Sequence, residues 1–355
     1  MQTLALKDKW LAEGAEIAAL DMCEYVAKVS GAAAETAALR NSVVLSDFSH
    51  LKKFSFDEAE GAEILDKLLA ANMLKLRYGK ALETFLADGG GNIAASVIAA
   101  NIDDKIFLLA ESADDEACAK IAESKGAEDL SQTHSVLSVD GPDAWKAAKA
   151  VFGADIYNLA FMGVEKYEYK GADAIVARAG KTGEFGYQIL VPNCAAEALF
   201  EELKSAVLSL GGRLAGVQTL LSARAKGNFF NIYGEGKASR NPIELGLQWQ
   251  IDFGKEEFSG AREIFKFRGE GAKRKLAAVS CAAETAAGAK IFNAEKIVGE
   301  VVFADESDKT FALALIDSEW AYPGLAFSAE PNGADFFSTV SRPAIVAQSL
   351  LRGME

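Results

Sequence analysis

The chain has 355 residues, half of them hydrophobic and a quarter charged, which excludes a disordered tail, a collagen-like repeat or a disulfide-stapled mini-protein. Thirty-seven Lys and Arg against fifty-one Asp and Glu leave a net charge of −14, a surface that repels phosphate backbones and anionic lipid, so nucleic acid and membrane are poor partners. At roughly 100–200 residues per domain the length predicts two or three domains.

The first readable element is a helix over Phe56–Asn72, which Asp57 can cap and in which Ile64, Leu65, Leu68 and Leu69 share a face. Leu82–Leu86 reads as a strand, Asp88-Gly89-Gly90-Gly91-Asn92 as a hairpin turn, and Ile93–Ile102 as the returning strand. The glycines lack the Lys-Ser/Thr of a phosphate-binding loop, so a turn explains them better. Lys105–Ala110 is a further strand, and Ala117, Ile121 and Ala122 give the acidic segment Ser112–Lys125 helical spacing. Its carboxylates Asp114-Asp115-Glu116, like Glu256-Glu257, read as a solvated face.

A second unit opens with the strand Ser135–Val139, turns at Gly141-Pro142 and enters a helix with Trp145, Ala148 and Phe152 on one side. Ala172–Arg178 and Tyr187–Pro192 form a hairpin around the turn Gly183–Gly186, followed by a helix over Ala195–Leu210 that Gly211-Gly212 ends. Short apolar runs at Leu276–Cys281, Lys296–Phe303, Phe311–Ile316 and Phe336–Val340 predict a small all-β domain at the end.

Cys23, Cys118, Cys194 and Cys281 lie far apart without a Cys-x-x-Cys pair and are expected as buried free thiols. His50 and His134 are the only histidines, which removes His-rich metal sites, and no metal is expected; His50 reads as structural rather than as a general base. The start Met1-Gln2-Thr3-Leu4-Ala5-Leu6-Lys7-Asp8-Lys9 has no basic leader with an apolar core, and no stretch approaches ~18 apolar residues, so a cytoplasmic protein is expected.

Six segments in order resemble the aminomethyltransferase, or T-protein, family of the glycine cleavage system and its folate-dependent demethylase relatives. They are Leu45-Ser46-Asp47-Phe48-Ser49-His50-Leu51, Gly79-Lys80-Ala81-Leu82-Glu83-Thr84 with Gly90-Gly91, Val139-Asp140-Gly141-Pro142, Lys181-Thr182-Gly183-Glu184-Phe185-Gly186-Tyr187-Gln188, Tyr233-Gly234, and Asn241-Pro242-Ile243-Glu244-Leu245-Gly246-Leu247 with Phe258-Ser259-Gly260. The resemblance implies an α+β fold of three domains around a central channel: residues 1–50 with 134–270, an inserted 51–133, and a C-terminal β-barrel over 271–355. It also implies tetrahydrofolate as the acceptor of a one-carbon unit, with Leu51, Glu83, Ile98, Lys181, Gln188, Arg224 and Trp249 along the folate channel.

Several positions depart from the family pattern. The family's Asp-Asp pair after the glycine hairpin becomes Ala94-Ala95, or Ala95-Ser96 in a register shifted by one residue, leaving Ser96 as the candidate catalytic group. A serine hydroxyl cannot take a proton near neutral pH. The Glu that accepts two parallel bonds from the pterin becomes Gln188, and two ring-contacting tyrosines become Glu83 and Lys181, a pair that can meet across the channel with Arg224 nearby. The leading expectation is a folate-binding aminomethyl or methyl transferase with an altered site, served by a small-molecule one-carbon donor or a lipoyl carrier protein docking on the basic run Lys266, Arg268, Lys273, Arg274 and Lys275. A tetrahydrofolate- or corrinoid-linked demethylase and a non-catalytic assembly protein are the alternatives. Iron–sulfur assembly relatives carry Lys-Gly-Cys where this chain has Lys226-Gly227-Asn228.

Overall fold

A computed structural model describes residues 3–20, 23–112 and 116–354. The readings that touched Met1, Gln2, Asp114 and Asp115 lie outside these residues.

Two sheets lie face to face. The first has six strands in the order Val164–Tyr169, Ala172–Ala177, Gly186–Pro192, His134–Asp140, Val44–Asp47 and Arg213–Leu214, antiparallel except for the last pair. Side chains alternate along a strand. Leu137, Val139, Tyr187, Ile189 and Val191 therefore pack under the helices Ala144–Phe152 and Asn193–Ser209, while Val136, Ser138, Asp140, Gln188 and Leu190 point the other way. The second sheet runs Lys80–Ala87, Ile93–Ile102, Lys105–Ser112, Lys52–Asp57 and Glu128–Asp129. Val97, Ala99, Ile106 and Leu108 pack under the helix Glu58–Leu68, which leaves Ser96, Ile98, Ala100, Leu109 and Glu111 facing the first sheet.

One apolar cluster joins the two faces, with Ile98, Ala100 and Ile102 from one sheet against Val136, Ile175 and Leu190 from the other. At about 25 cal/mol per Å² of buried apolar surface, this contact is what holds the sheets together. At its end the apolar residues give way to Ser96, Glu111, Ser138, Asp140 and Gln188, and a cavity opens there. The C-terminal runs close into a six-stranded barrel, and its Ala278, Phe311 and Leu313 pack on Ala225 near the end of the helix Val217–Gly227.

The glycine cluster after Ala87 is a turn, as its composition predicts. Asp88 Oδ1 accepts the Gly90 and Asn92 N–H groups at 2.8 and 2.9 Å, and Gly91 takes φ +76° with a Cβ there meeting Glu263 Cβ at 2.9 Å. Two expectations need correction. Phe56 and Asp57 belong to the strand Lys52–Asp57 because Phe54 and Phe56 alternate into the core, so the helix is Glu58–Leu68, and Asp57 occupies its N-cap position without a side-chain bond. Ser112 ends a strand, and helix in the acidic segment is confined to Ala119–Ala122. None of the four cysteines forms a disulfide among the described residues, and Cys194 is exposed and Cys23 half-buried, with Cys118 and Cys281 buried as expected.

Glu35, fully buried at the start of the helix Ala32–Asn41, positions the helix Val217–Gly227. One oxygen accepts the N–H groups of Val29, Ser30 and Gly31, and the other those of Gly216 N–H at 3.0 Å and Thr219 Oγ1–H at 2.7 Å. Glu35→Gln turns an acceptor into a donor facing donors, and is expected to lower stability by about 2–4 kcal/mol. Urea unfolding followed by circular dichroism checks this; an unchanged midpoint would show that the carboxylate is not the anchor.

Candidate active site

The turn Phe48–Leu51 sets the site. Asp47 accepts the Trp10 indole N–H and the Ser49 N–H, each at 2.7 Å, and the buried Lys53 ammonium donates to the Ser49 and Leu51 carbonyls at 2.7 and 2.9 Å. Burial pushes the Asp47 carboxyl up and the Lys53 ammonium down to about 8. So held, the turn sends Phe48 and Leu51 into the cavity between the sheets and His50 into a separate one.

The first cavity, about 20 Å³, is walled by Leu51, Ile98, Leu109 and Leu220 and by the polar ends of both sheets. Across it Arg224 donates from Nη1 and Nη2 to the two oxygens of Glu111, both at 2.6 Å, and Nη2 also donates to the Phe230 carbonyl at 2.8 Å. Burial works to raise the Glu111 carboxyl, but Arg224, with help from the charges of Lys181 and His50, holds it at about 2. Glu111 is the cross-strand partner of Ser96. Lys181 Nζ lies 3.4 Å from Glu83 Oε1, each side chain about 10 % exposed, and Gln250 Nε2 donates to the other Glu83 oxygen at 3.4 Å. Gln188 Oε1 is buried with no hydrogen-bond partner. Beside it Asp140 accepts the Ser138 hydroxyl at 2.5 Å, and burial pushes its carboxyl up to about 6.

A family model described as the GCVT N-terminal domain matches residues 6–255. The chain belongs to the T-protein family. It is 25 % identical over 311 residues to an aminomethyltransferase of Thermotoga petrophila, covering 82 % of this chain and 85 % of that one. It is 28 % identical over 334 residues to an aminomethyltransferase of Mycobacterium leprae, covering 89 % of each. The crystal structure of glycine cleavage system aminomethyltransferase T from Bartonella henselae superposes with a TM-score of 0.83 at 22 % identity, over 97 % of this chain and 98 % of that one, which shows the shared fold.

Of the residues that likeness to the T-proteins picked out, Leu51, Ser96, Ile98, Lys181, Gln188 and Arg224 line one cavity, and Glu83 reaches it through Lys181. Trp249 stands apart, 60 % exposed in the turn Gln248–Gln250, while its neighbour Gln250 turns inward to Glu83. Glu111 and Asp140 were not among the expected site residues. Glu111 ends an apolar alternating strand, where a charge on the buried face demands a partner, and Arg224 on a helix face with Leu220 makes the same demand. In the basic run, Arg268 lies over the Phe253 ring at 4.0 Å, Arg274 pairs with Glu244 at 3.3 Å and Lys275 lies over Tyr322. Lys226 pairs with Asp305 and Asp308 at 3.0 and 2.9 Å, a structural tie between helix and barrel. Among the described residues no cluster of His, Cys, Asp and Glu could hold a metal ion, and no helix is long and apolar enough to cross a membrane.

The second cavity lies beyond Arg224, between the helix Val217–Gly227 and the barrel, and is lined by Tyr25, His50, Leu221, Tyr233 and Phe303. His50 is buried, its Nδ1 unpartnered, and burial lowers it to about 4. Between that value and the ordinary one near 6.5 the unfolded chain binds the extra proton, so the His50 contribution to stability grows with pH across this window and is level above it. The stability of the native chain relative to His50→Gln is expected to rise by about 3 kcal/mol from pH 4 to pH 6.5. Paired denaturant titrations across that range check it, and a flat difference would mean that His50 keeps its ordinary protonation equilibrium in the fold.

Glu111→Gln leaves Arg224 buried without a counter-charge and is expected to cost about 3–5 kcal/mol, whereas Glu111→Leu combined with Arg224→Met costs less than either single change. A double-mutant cycle by urea unfolding measures the coupling; additive losses would contradict it.

Proposed function

We propose that this chain is a one-carbon transferase that binds a reduced folate in the cavity between the sheets and transfers an aminomethyl or methyl group to it. Membership of the T-protein family supports the reaction class, since that family passes its one-carbon unit to tetrahydrofolate. The observation that carries the reading is the unpartnered Gln188 Oε1, a buried acceptor in the polar wall of the slot opposite Leu51 and Ile98. A pterin ring presents flat apolar faces and an edge of N–H donors; Leu51 and Ile98 suit the faces and the Gln188 acceptor suits the edge, and the cavity, about 20 Å³, must widen to admit the ring.

The folate supplies a nucleophilic nitrogen when bound; the protein must place it and manage charge around it. Leu51 and Ile98 flank the ring, and Gln188 fixes its edge. Ser96 can orient through a hydrogen bond but does not exchange protons near neutral pH. Glu111, kept ionised by its two bonds to Arg224, takes no proton itself and holds the guanidinium in place beside the slot. The proton chemistry of the site is thus altered from the family's carboxylate pattern. The donor is a lipoyl-bearing carrier, as the T-protein family uses, or a small one-carbon compound.

Isothermal titration calorimetry with tetrahydrofolate is expected to give micromolar binding to the native chain, weakened roughly tenfold by Gln188→Ala. Absence of heat at millimolar ligand would overturn the reading. Mass analysis of the folate after incubation with donor then separates the two chemistries, since a methylene product marks aminomethyl transfer and a methyl product marks demethylation.

A further inference from the structure

At about 20 Å³ the slot between the sheets is too small for a heterocycle, so part of its wall must move before a ligand enters. Most of that wall belongs to strands of the two sheets, to the helix Val217–Gly227 and to the Phe48–Leu51 turn, which Lys53 pins from within. Lys181 and Thr182 are different: they come from the turn that joins the strands Ala172–Ala177 and Gly186–Pro192. A connecting turn is displaced at less cost than a strand held by ladder bonds on both sides. Whatever holds this turn therefore holds the slot shut.

The turn is held from its outer side through Glu184, whose side chain is fully buried. Its Oε1 accepts the Arg40 guanidinium and the Gln348 N–H, each at 3.1 Å, and its Oε2 accepts the Ser349 N–H at 2.8 Å. Arg40 also donates to the Thr182 carbonyl at 2.9 Å. Gln348 and Ser349 open the short helix Gln348–Arg352 near the end of the chain, and Ile345 just before it lies over the tip of the turn. A Cβ on Gly183, at φ +82°, would stand 3.2 Å from Ile345 Cδ1. The segment is tied by the Ala344 N–H to the Lys226 carbonyl at 2.8 Å and by Arg352 to the Asn41 carbonyl at 2.9 Å. Between these ties Val346, Leu350 and Leu351 face solvent, so the segment rests on a few polar bonds more than on apolar burial. A segment held in this way opens for less than the cost of global unfolding.

We propose that residues 345–352 form a latch on the slot: Glu184 couples them to the turn at residues 180–186, and a ligand enters when the latch releases and the turn moves outward. Glu184 is the joint because one carboxylate bonds both the Arg40 anchor and the C-terminal segment. On release it keeps Arg40 or reaches water, so opening leaves no unpaired charge buried. The latch follows from the geometry alone; its role as a gate rests on the folate reading above, which supplies the ligand.

Hydrogen exchange read by mass spectrometry on the full chain tests the coupling. In the native chain, peptides covering residues 180–186 and 345–352 are expected to exchange together. Glu184→Gln turns one acceptor into a donor facing the Ser349 N–H, and is expected to speed both by about tenfold. Gln348→Pro is the milder second variant, because proline suits the first helical position and removes only the N–H at Oε1; it shifts the turn the same way by less. Equal protection of the strand His134–Asp140 in all three chains shows that the fold is intact. Stopped-flow association of tetrahydrofolate is expected to quicken about tenfold in Glu184→Gln, since entry scales with the open population. Unchanged exchange of the turn in both variants overturns the latch. Faster exchange without faster association overturns the gate and leaves the folate reading standing. If none of the three chains binds tetrahydrofolate, the folate reading falls and the gate with it, whatever the exchange shows.

Discussion

The bidentate pair between Arg224 and Glu111 is the constraint around which the site is arranged. It spans from the helix Val217–Gly227 to the second sheet with both bonds at 2.6 Å and both side chains buried. Such a pair forfeits several kcal/mol per ion in lost hydration, so it is a weak device for stability alone. It fixes position instead. A fork of two parallel bonds sets the guanidinium plane, and the helix that carries Arg224 is itself held at its start by Glu35. The ion pair therefore borders the slot between the sheets on one side, while helix residues one turn away line the second cavity with His50 and Tyr233.

The charges at Glu83 and Lys181 follow the same logic at lower cost. Each is mostly buried, and an unpaired charge there would be costly. Meeting at 3.4 Å, with Gln250 donating to the other carboxylate oxygen, they satisfy one another beside the slot.

Local chemistry was legible in the sequence and long-range pairing was not. The turn at Asp88–Asn92 declares itself because aspartate and glycine supply the capping oxygen and the positive φ within five residues. The strand Ile93–Ile102 and the helix Asn193–Ser209 follow from apolar period and from glycine punctuation. Phe56 misleads because its two-residue alternation with Phe54 abuts a genuine helical period, and only the Ile106 partner shows where one ends. Glu111 and Arg224 lie 113 residues apart, and no local pattern tells which charge answers which. Asp140 closes the strand His134–Asp140 just ahead of the Gly141-Pro142 turn, a place where an aspartate is common and no local pattern shows that its side chain faces the cavity.

The proton balance of the cavity follows from where each carboxyl sits. Glu111 is locked ionised at about 2 by a permanent cation, so it does not exchange protons near neutrality. Ser96, across the strand pair from it, has no acid to offer. Asp140 faces hydroxyls rather than a bonded cation, and burial raises it to about 6, within reach of both protonation states at working pH. The surroundings thus set the two carboxyls apart: Glu111 stays ionised through neutral pH, while Asp140 titrates near 6. Exchanging their surroundings, more than exchanging the residues themselves, would change what the site can do.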